Sequence, residues 1–241
     1  MSFKDGDFLE VEYSAWSGAD NSLISTTDEK KAKEANIFEK DVHYGPVLVV
    51  LGSNSVIKGL DRSLREMAPN EQKRFTFKPD EAFGERIPDL VRVMPLAEFR
   101  KHDIDPYPGL KVNLDNATAI VKSVNSGRVI VDANHPYAGQ EITYEIKVVK
   151  HLTSEKDKVK ALGKTYNVEP SSVEVKEKTL EMTFNNSVKK NSDYFIGKAN
   201  LIASVFSYLK EFESVKVEEE YIKPKESDEK KTEQEEEASE S

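Results

Sequence analysis

Three segments with alternating apolar and polar residues place the strongest constraint on the fold of this chain. They are FLEVEY at 8–13, QKRFTF at 72–77 and EITYEIKVV at 141–149. Such alternation is typical of a strand with one buried and one solvated face. The first and last segments lie far apart in the sequence, and the residues between 87 and 130 have a different texture. We therefore predict a β domain that the chain leaves and later re-enters.

Between the first two strands the chain supplies a short apolar strand and a helix. GPVLVVLG at 45–52 is an apolar run between glycines, as expected of a strand. SVIKGLDRSLREM at 55–67 carries Ile57, Leu60, Leu64 and Met67 at helical spacing. The predicted fold class is therefore α+β.

The interruption at 87–130 reads as a small β-rich unit of its own. It contains the helical patch PLAEF and a Pro–Tyr–Pro–Gly turn at 106–109. ATAIVKSV and RVIV flank Asn125–Ser126–Gly127, which is a hairpin signal. We predict a β-hairpin there.

A second α+β domain is predicted from residue 153 to 224. SEKDKVKALGKTYN at 154–167 indicates a charged helix, SVEVKEKTLEMTF two short strands, and VKVEEEYI a final strand. The segment 192–213 indicates an amphipathic helix. Its predicted apolar stripe comprises Leu201, Ile202, Val205, Phe206, Leu209 and Phe212. Residues 225–241 are almost entirely polar and are expected to be disordered.

Composition excludes several classes of function. The formal net charge of -9 repels phosphate backbones, so no nucleic-acid partner is expected. The absence of cysteine excludes disulfides, thiolate zinc sites and cysteine nucleophiles. No signal peptide is recognised at residues 1–13, and the apolar run at 47–51 is too short to cross a membrane. We expect a cytoplasmic protein without a membrane partner.

One polar cluster leaves several chemistries open. VDANHPYAG at 131–139 places Asp132, Asn134 and His135 before a turn, which fits a catalytic pair, a metal corner or a polar bend. The other histidines show no two-ligand spacing, and no nucleophile elbow, Walker A stretch or dinucleotide fingerprint is present. We therefore expect no metal and no cofactor, and a function that depends on apolar surface.

The order of several motifs resembles the FKBP-type peptidyl-prolyl cis-trans isomerases. These motifs are VEY, GPVLVVLGSNSVIKGLDRSL, FKPDEAFGE, VDANHPYAG and ITYEIKVV, and they span about residues 1–152. The likeness is greatest to the SlyD-like and long archaeal forms. It implies an FKBP-like antiparallel half-barrel around one helix at 1–86 and 131–152. It further implies an insert-in-flap domain at 87–130 and a C-terminal α+β domain that resembles a self-association module. The amphipathic helix of that domain would either belong to its core or donate a face to a homodimer.

The resemblance also implies which side chains form the site. The pocket residues would be Tyr13, Ile24, Ser25, Val56, Ile57, Leu60, Phe83 and Tyr144. Val47, Val49, His135 and Tyr137 would contact the substrate beside that pocket. In the insert, Val93, Met94, Leu96 and Phe99 would either bind unfolded chains or form the insert's own small core.

Two positions depart from the family pattern. Ser25 stands where an aspartate is usual, and Phe83 where a tyrosine donates a hydrogen bond to the bound carbonyl. The expected function is isomerisation of Xaa-Pro bonds in unfolded or proline-containing polypeptides, with chaperone activity from the insert. The departures motivate one alternative, a holdase of the same fold with weak or lost isomerase activity. Another is a dimeric scaffold in which the C-terminal domain dominates. This hypothesis expects that deleting residues 153–241 abolishes function although the barrel still folds.

Overall fold

The structure is a computed structural model that describes residues 3–114, 117–187 and 192–222. Within these residues the strands form three sheets, and the predicted tail at 225–241 lies outside them. None of the described helices is long and apolar enough to span a membrane. In chain order the elements are β1 (Phe8–Ser17), β2 (Leu23–Thr26), α1 (Glu29–Glu34), β3 (Val47–Val50), α2 (Lys58–Arg65), β4 (Gln72–Phe77), β5 (Val91–Pro95), α3 (Leu96–Lys101), β6 (Lys111–Leu114), β7 (Ala117–Asn125), β8 (Arg128–Asp132), β9 (Ile142–Leu152), α4 (Glu155–Thr165), β10 (Ser172–Lys176), β11 (Thr179–Ser187), α5 (Ser192–Tyr208) and β12 (Ser214–Ile222).

The first sheet joins distant parts of the chain, as the alternating segments predict. Its order in the described residues is β2–β1–β9–β4, and β3 also pairs with β1. β1 and β9 are antiparallel along their whole length, from Phe8 opposite Leu152 to Ser17 opposite Ile142. Buried apolar side chains line the face of the sheet that packs against α2, and Leu60 and Leu64 of α2 belong to the same core. This arrangement confirms the predicted α+β class.

Close packing of α2 on the sheet depends on a glycine. A Cβ atom at Gly59 would lie 2.4 Å from the Phe77 ring of β4, well inside contact distance. Glycine at this position therefore lets the first turn of α2 approach the sheet. This contact sets the depth of the space between helix and sheet.

The insert forms its own sheet, in the order β5–β8–β7–β6 among the described residues. The predicted hairpin is confirmed, because Asn125 pairs with Arg128 and the two residues between them, Ser126 and Gly127, both have positive φ. The sheet extends to Asp132, past the predicted boundary at residue 130. Val131 is the reason, since its side chain is buried in the insert's core.

In the C-terminal region α4 and α5 pack on a sheet of order β10–β11–β12, in which β11 and β12 are parallel. Leu201 and Val205 of α5 are buried as predicted. The prediction for Phe206 is wrong, because this side chain is 44% exposed. With 3.6 residues per turn, Phe206 points about 100° away from Val205 and leaves the buried stripe.

The C-terminal region shares a core with the outer face of the first sheet. Phe8, Val50 and Leu152 are buried in the same cluster as Val159 and Leu162 of α4. β1 is therefore covered on both faces, which explains why Phe8 and Leu9 are both fully buried although they point to opposite sides. The sheet acts as a shared wall between two cores.

Candidate active site

An apolar cleft opens between the start of α2 and the sheet. Its volume is about 390 Å³, and none of its lining side chains carries a formal charge. The lining residues are Tyr13, Ser55, Val56, Ile57, Leu60 and Tyr144. Five of the eight predicted pocket residues are therefore brought together here, from β1, the loop before α2, α2 and β9.

Tyr144 lies at the base of this cleft. Its ring is 5.6 Å from the ring of Tyr13 and 5.9 Å from that of Phe77, measured between centroids. Burial raises the pKa of the Tyr144 hydroxyl to about 12, and Tyr13 adds to the effect. The phenol is therefore neutral at physiological pH, so the base of the cleft is aromatic and uncharged.

The first turn of α2 forms one wall of the cleft. Ile57 is the N-cap residue, and its side chain makes no capping hydrogen bond to the first turn. Backbone N–H groups at a helix start lack intrahelical partners. The side chains of Val56 and Ile57 thus stand beside N–H donors that a peptide carbonyl can accept from.

Ser25 contacts the cleft residue Tyr13 although it carries no charge. The hydroxyl oxygens of Tyr13 and Ser25 are 3.1 Å apart and form a hydrogen bond in which either can donate. Ile24, the preceding residue of β2, packs half-buried against the barrel core. The serine therefore holds the Tyr13 side chain in place without bringing a carboxylate to the cleft.

A second aromatic group lies at the re-entry from the insert. The rings of Phe83 and His135 are stacked with their centroids 4.2 Å apart, and Tyr137 lies 5.9 Å from Phe83. The Tyr137 amide donates to Nδ1 of His135 over 3.3 Å, which places the imidazole proton on Nε2. The pKa of His135 is lowered because partial burial disfavours the charged ring. His135 is thus a neutral stacking partner of Phe83.

The geometry of VDANHPYAG excludes a catalytic Asp–His pair. The Asp132 carboxylate accepts hydrogen bonds from Asn134 and from the Arg86 guanidinium, and His135 points instead to Phe83. No group of three potential metal ligands converges anywhere in the described ranges. Of the three chemistries left open by the sequence, the polar bend describes this segment.

The remaining predicted substrate contacts are distributed over the fold. Val49 is buried in the barrel core, and Val47 lines a separate cleft of about 320 Å³ that faces α4. In the insert Val93 is 60% exposed, Met94 and Leu96 are half-buried, and Phe99 is buried in the insert's core. Val93 is thus the most accessible of the four predicted insert residues.

Ser55 lines the cleft and was not singled out from the sequence. It directly precedes the VIKGL motif, and its hydroxyl accepts a hydrogen bond from Ser53 over 2.9 Å. Its position directly before the VIKGL motif could have identified it as a cleft residue from the sequence. It adds a polar hydroxyl to a lining that is otherwise formed by Tyr13, Val56, Ile57, Leu60 and Tyr144.

Comparison with known proteins relates most of the chain to one group. A family model described as the IF domain of FKBP26 matches residues 92–137. A short-type peptidyl-prolyl cis-trans isomerase of Methanocaldococcus jannaschii is 30% identical over 145 residues, which are 60% of this chain and 91% of that protein. An FKBP-type 16 kDa peptidyl-prolyl cis-trans isomerase of Escherichia coli K12 is 31% identical over 136 residues, covering 54% of this chain and 91% of the relative. The SlyD isomerase of Vibrio cholerae is 25% identical over 143 residues, covering 58% and 71%.

Proposed function

Because the chain belongs to the FKBP-type peptidyl-prolyl cis-trans isomerase family, we propose that it isomerises Xaa-Pro bonds in unfolded or partly folded polypeptides. The observation that carries the proposal is the uncharged cleft above Tyr144, bounded by Val56, Ile57 and Leu60. A proline ring and the preceding carbonyl are the size and polarity that such a cleft accommodates. No nucleophile or general base is required of the lining residues.

The proposed mechanism is differential binding of the twisted amide. Rotation about the bond is opposed by a barrier of about 18–20 kcal/mol, because amide resonance keeps the peptide planar. The planar form is also the more dipolar one, and water stabilises it. An apolar cleft that excludes water from the carbonyl favours the twisted form, while N–H groups at the start of α2 hold the neighbouring carbonyl. The residues proposed to act here are Tyr13, Ile24, Ser25, Val56, Ile57, Leu60, Phe83 and Tyr144.

The holdase alternative makes a different prediction for a simple assay. We expect the full chain to accelerate cis-to-trans conversion of a Xaa-Pro tetrapeptide in proportion to its concentration, in a protease-coupled assay. Ser25 supports this expectation, since its hydroxyl forms a hydrogen bond with Tyr13, which lines the cleft. If the chain does not accelerate this conversion but does suppress aggregation of an unfolded protein, the holdase alternative is established.

We propose that the insert binds the polypeptide whose prolines are isomerised. Ile87, Val93 and Tyr107 are exposed apolar side chains of the insert, and exposed apolar surface is typical of interaction sites. A shallow groove of about 100 Å³ between Leu90, Leu114 and Val131 adds further apolar surface. Replacing residues 87–133 by a short glycine linker tests this proposal. It should leave tetrapeptide turnover intact and abolish suppression of aggregation.

The composition supports polypeptides as the partners. A net charge of -9 disfavours nucleic acid. A cysteine-free chain suits the reducing cytoplasm, which we propose as its location.

We further propose that the chain forms a homodimer through α5. Phe195, Ile196 and Phe206 are 48%, 59% and 44% exposed, and Ala199 and Ala203 lie between them on the same face. Large side chains at both ends of a stripe with small ones in the middle are self-complementary. Antiparallel packing about a two-fold axis places Phe195 of one copy over the alanines and near Phe206 of the other.

Charge on this face should dissociate the dimer. We expect the double variant Phe195→Glu/Phe206→Glu to sediment as a monomer at concentrations where the unaltered chain is a dimer, because burying four carboxylates is unfavourable. Val42→Glu serves as a control, since Val42 is equally exposed but lies in the loop before β3. A monomeric unaltered chain in sedimentation equilibrium at 100-fold different concentrations (roughly micromolar to sub-millimolar) would contradict the proposal.

A further inference from the structure

The two chain segments that connect the insert to the barrel are fastened to each other by the side chain of Asn134. Its Oδ1 accepts from the Ile87 amide over 2.8 Å, and its Nδ2 donates to the Ile87 carbonyl over 3.0 Å. The amide group thus satisfies both backbone groups of the residue at which the chain enters the insert. Asn134 itself lies where the chain leaves the insert, and it is only 9% exposed.

Asp132 extends this fastening toward the barrel. One carboxylate oxygen accepts from the backbone N–H and the Nδ2 of Asn134, over 3.0 and 2.8 Å, and the other accepts from the Arg86 guanidinium. Asp132 is 3% exposed. Burial raises its pKa, but the bonds from Asn134 and the charge of Arg86 outweigh burial and hold the pKa below the ordinary value. The carboxylate is therefore ionised and fully engaged.

Backbone hydrogen bonds flank these side chains on both sides. The Gly139 amide donates to the Gly84 carbonyl over 2.8 Å on the barrel side, and the Ala133 amide donates to the Leu90 carbonyl over 3.0 Å on the insert side. The two segments that connect the insert to the barrel are thus hydrogen-bonded to each other from residue 84 to residue 90. Rotation of the insert about this junction requires several of these bonds to break together.

The junction directly adjoins the aromatic group of Phe83, His135 and Tyr137. Arg86 is separated from Phe83 by two residues, and Asn134 is followed by His135, which stacks on Phe83. None of Arg86, Asp132 and Asn134 lines the cleft itself. A change in this network therefore alters where the insert sits without altering the walls that surround a bound proline.

We propose that Arg86, Asp132 and Asn134 are positioning residues that fix the orientation of the insert relative to the cleft. The inference rests on the proposed function, in which the insert binds an unfolded polypeptide and the cleft isomerises its prolines. A fixed insert raises the effective concentration of a nearby proline at the cleft. The network therefore matters for long polypeptides, whereas a tetrapeptide reaches the cleft directly and does not require it.

The orientation can be measured without any assay of activity. Because the chain has no cysteine, spin labels can be placed on Lys30→Cys in α1 and Arg100→Cys in α3, both exposed. Pulsed electron resonance should give one narrow distance distribution for the otherwise unaltered chain. Asn134→Ala should broaden it markedly. An unchanged width in Asn134→Ala and in Arg86→Gln would overturn the proposal.

Kinetics separate positioning from mere loss of structure. For Asn134→Ala and Arg86→Gln we expect tetrapeptide kcat/KM within about twofold of the unaltered chain, and kcat on a refolding protein reduced about tenfold with KM unchanged. KM is retained because the insert still binds the polypeptide. A rise in KM with unchanged kcat would show a damaged insert and would overturn the positioning role, as would an equal loss on both substrates.

Two matched variants complete the design. Asn113→Ala removes an exposed asparagine of the insert that lies outside the junction, and it should leave both distance distribution and kinetics unchanged. Arg86→Lys keeps the charge opposite Asp132 and should recover most of the activity lost in Arg86→Gln. Should Asn134→Ala fail to fold, Arg86→Gln and Arg86→Lys still decide the question. Inactivity of the unaltered chain on tetrapeptides would refute the proposed function, while the distance measurement would still test the fixed orientation.

Discussion

Phe8→Ala should lower the free energy of unfolding of the whole chain by about 3–5 kcal/mol, the range for truncating a fully buried phenylalanine. Phe8 is completely buried between the barrel sheet and the C-terminal domain. Its ring meets that of Tyr208 edge-on at 6.2 Å, and the Lys158 ammonium lies 5.4 Å from the ring centre. Truncation therefore removes contacts from both domains at once and leaves a cavity between them.

Urea titration with two probes checks this expectation. The single tryptophan, Trp16 of β1, reports on the barrel by fluorescence, and far-ultraviolet circular dichroism reports on the entire chain. We expect the two transitions to coincide and to move together in Phe8→Ala. Phe38→Ala is the matched control, because Phe38 is partly exposed and contacts chiefly Tyr44 and Lys33, so its loss should cost less than about 1.5 kcal/mol. Separate transitions would show that the domains unfold independently.

The same interface bears on the scaffold alternative. That hypothesis expects the barrel to fold without residues 153–241. Removing them would expose Phe8, Val50 and Leu152 on one face of the sheet. A large exposed apolar patch favours aggregation, so the structure argues against an independent barrel.

Alternation in the sequence predicted the strands of the barrel but not what covers them. The pattern identifies two faces of β1, yet Phe8 and Leu9 are both buried because a second domain lies on the outer face. Nothing local to β1 encodes that contact, since its partners lie more than 140 residues away. The parallel pairing of β11 with β12 is similarly nonlocal. The hairpin at Ser126–Gly127 was predictable because its turn residues determine it.

The site residues also fall into two groups: those that the sequence motifs predict and those whose placement depends on distant parts of the chain. Tyr13, Val56, Ile57, Leu60 and Tyr144 could be selected by their motifs, and the fold brings them to one cleft. The face that Val47 presents depends on how β3 is placed against α4, which the motif does not state. The ion-pair partner of Asp132 could not be predicted from the sequence either, because Arg86 lies far from it along the chain. Spacing within VDANHPYAG suggested His135 instead, since His135 is near in sequence while Arg86 is near in space.

Ile57→Asp should reduce tetrapeptide kcat/KM by tenfold or more while leaving the folded state about as stable as before, since aspartate is a favoured N-cap residue. Ile57 occupies the N-cap of α2, and its side chain cannot accept a hydrogen bond from the first turn. An aspartate there would accept from those N–H groups and offset the lost apolar contact. Its charge would also keep water at the wall of the cleft, so the carbonyl of a bound proline peptide would remain solvated.

Two further substitutions at this position separate charge from shape. Ile57→Val keeps the wall apolar and should change kcat/KM by less than about threefold, because it removes one methylene group. Ile57→Asn has the shape and the capping ability of aspartate without its charge, so its activity should lie between the other two. Melting temperatures measured alongside distinguish a damaged cleft from a damaged fold. Full activity of a stable Ile57→Asp protein would contradict the proposed site, because catalysis by desolvation cannot tolerate a carboxylate in the wall that contacts the substrate.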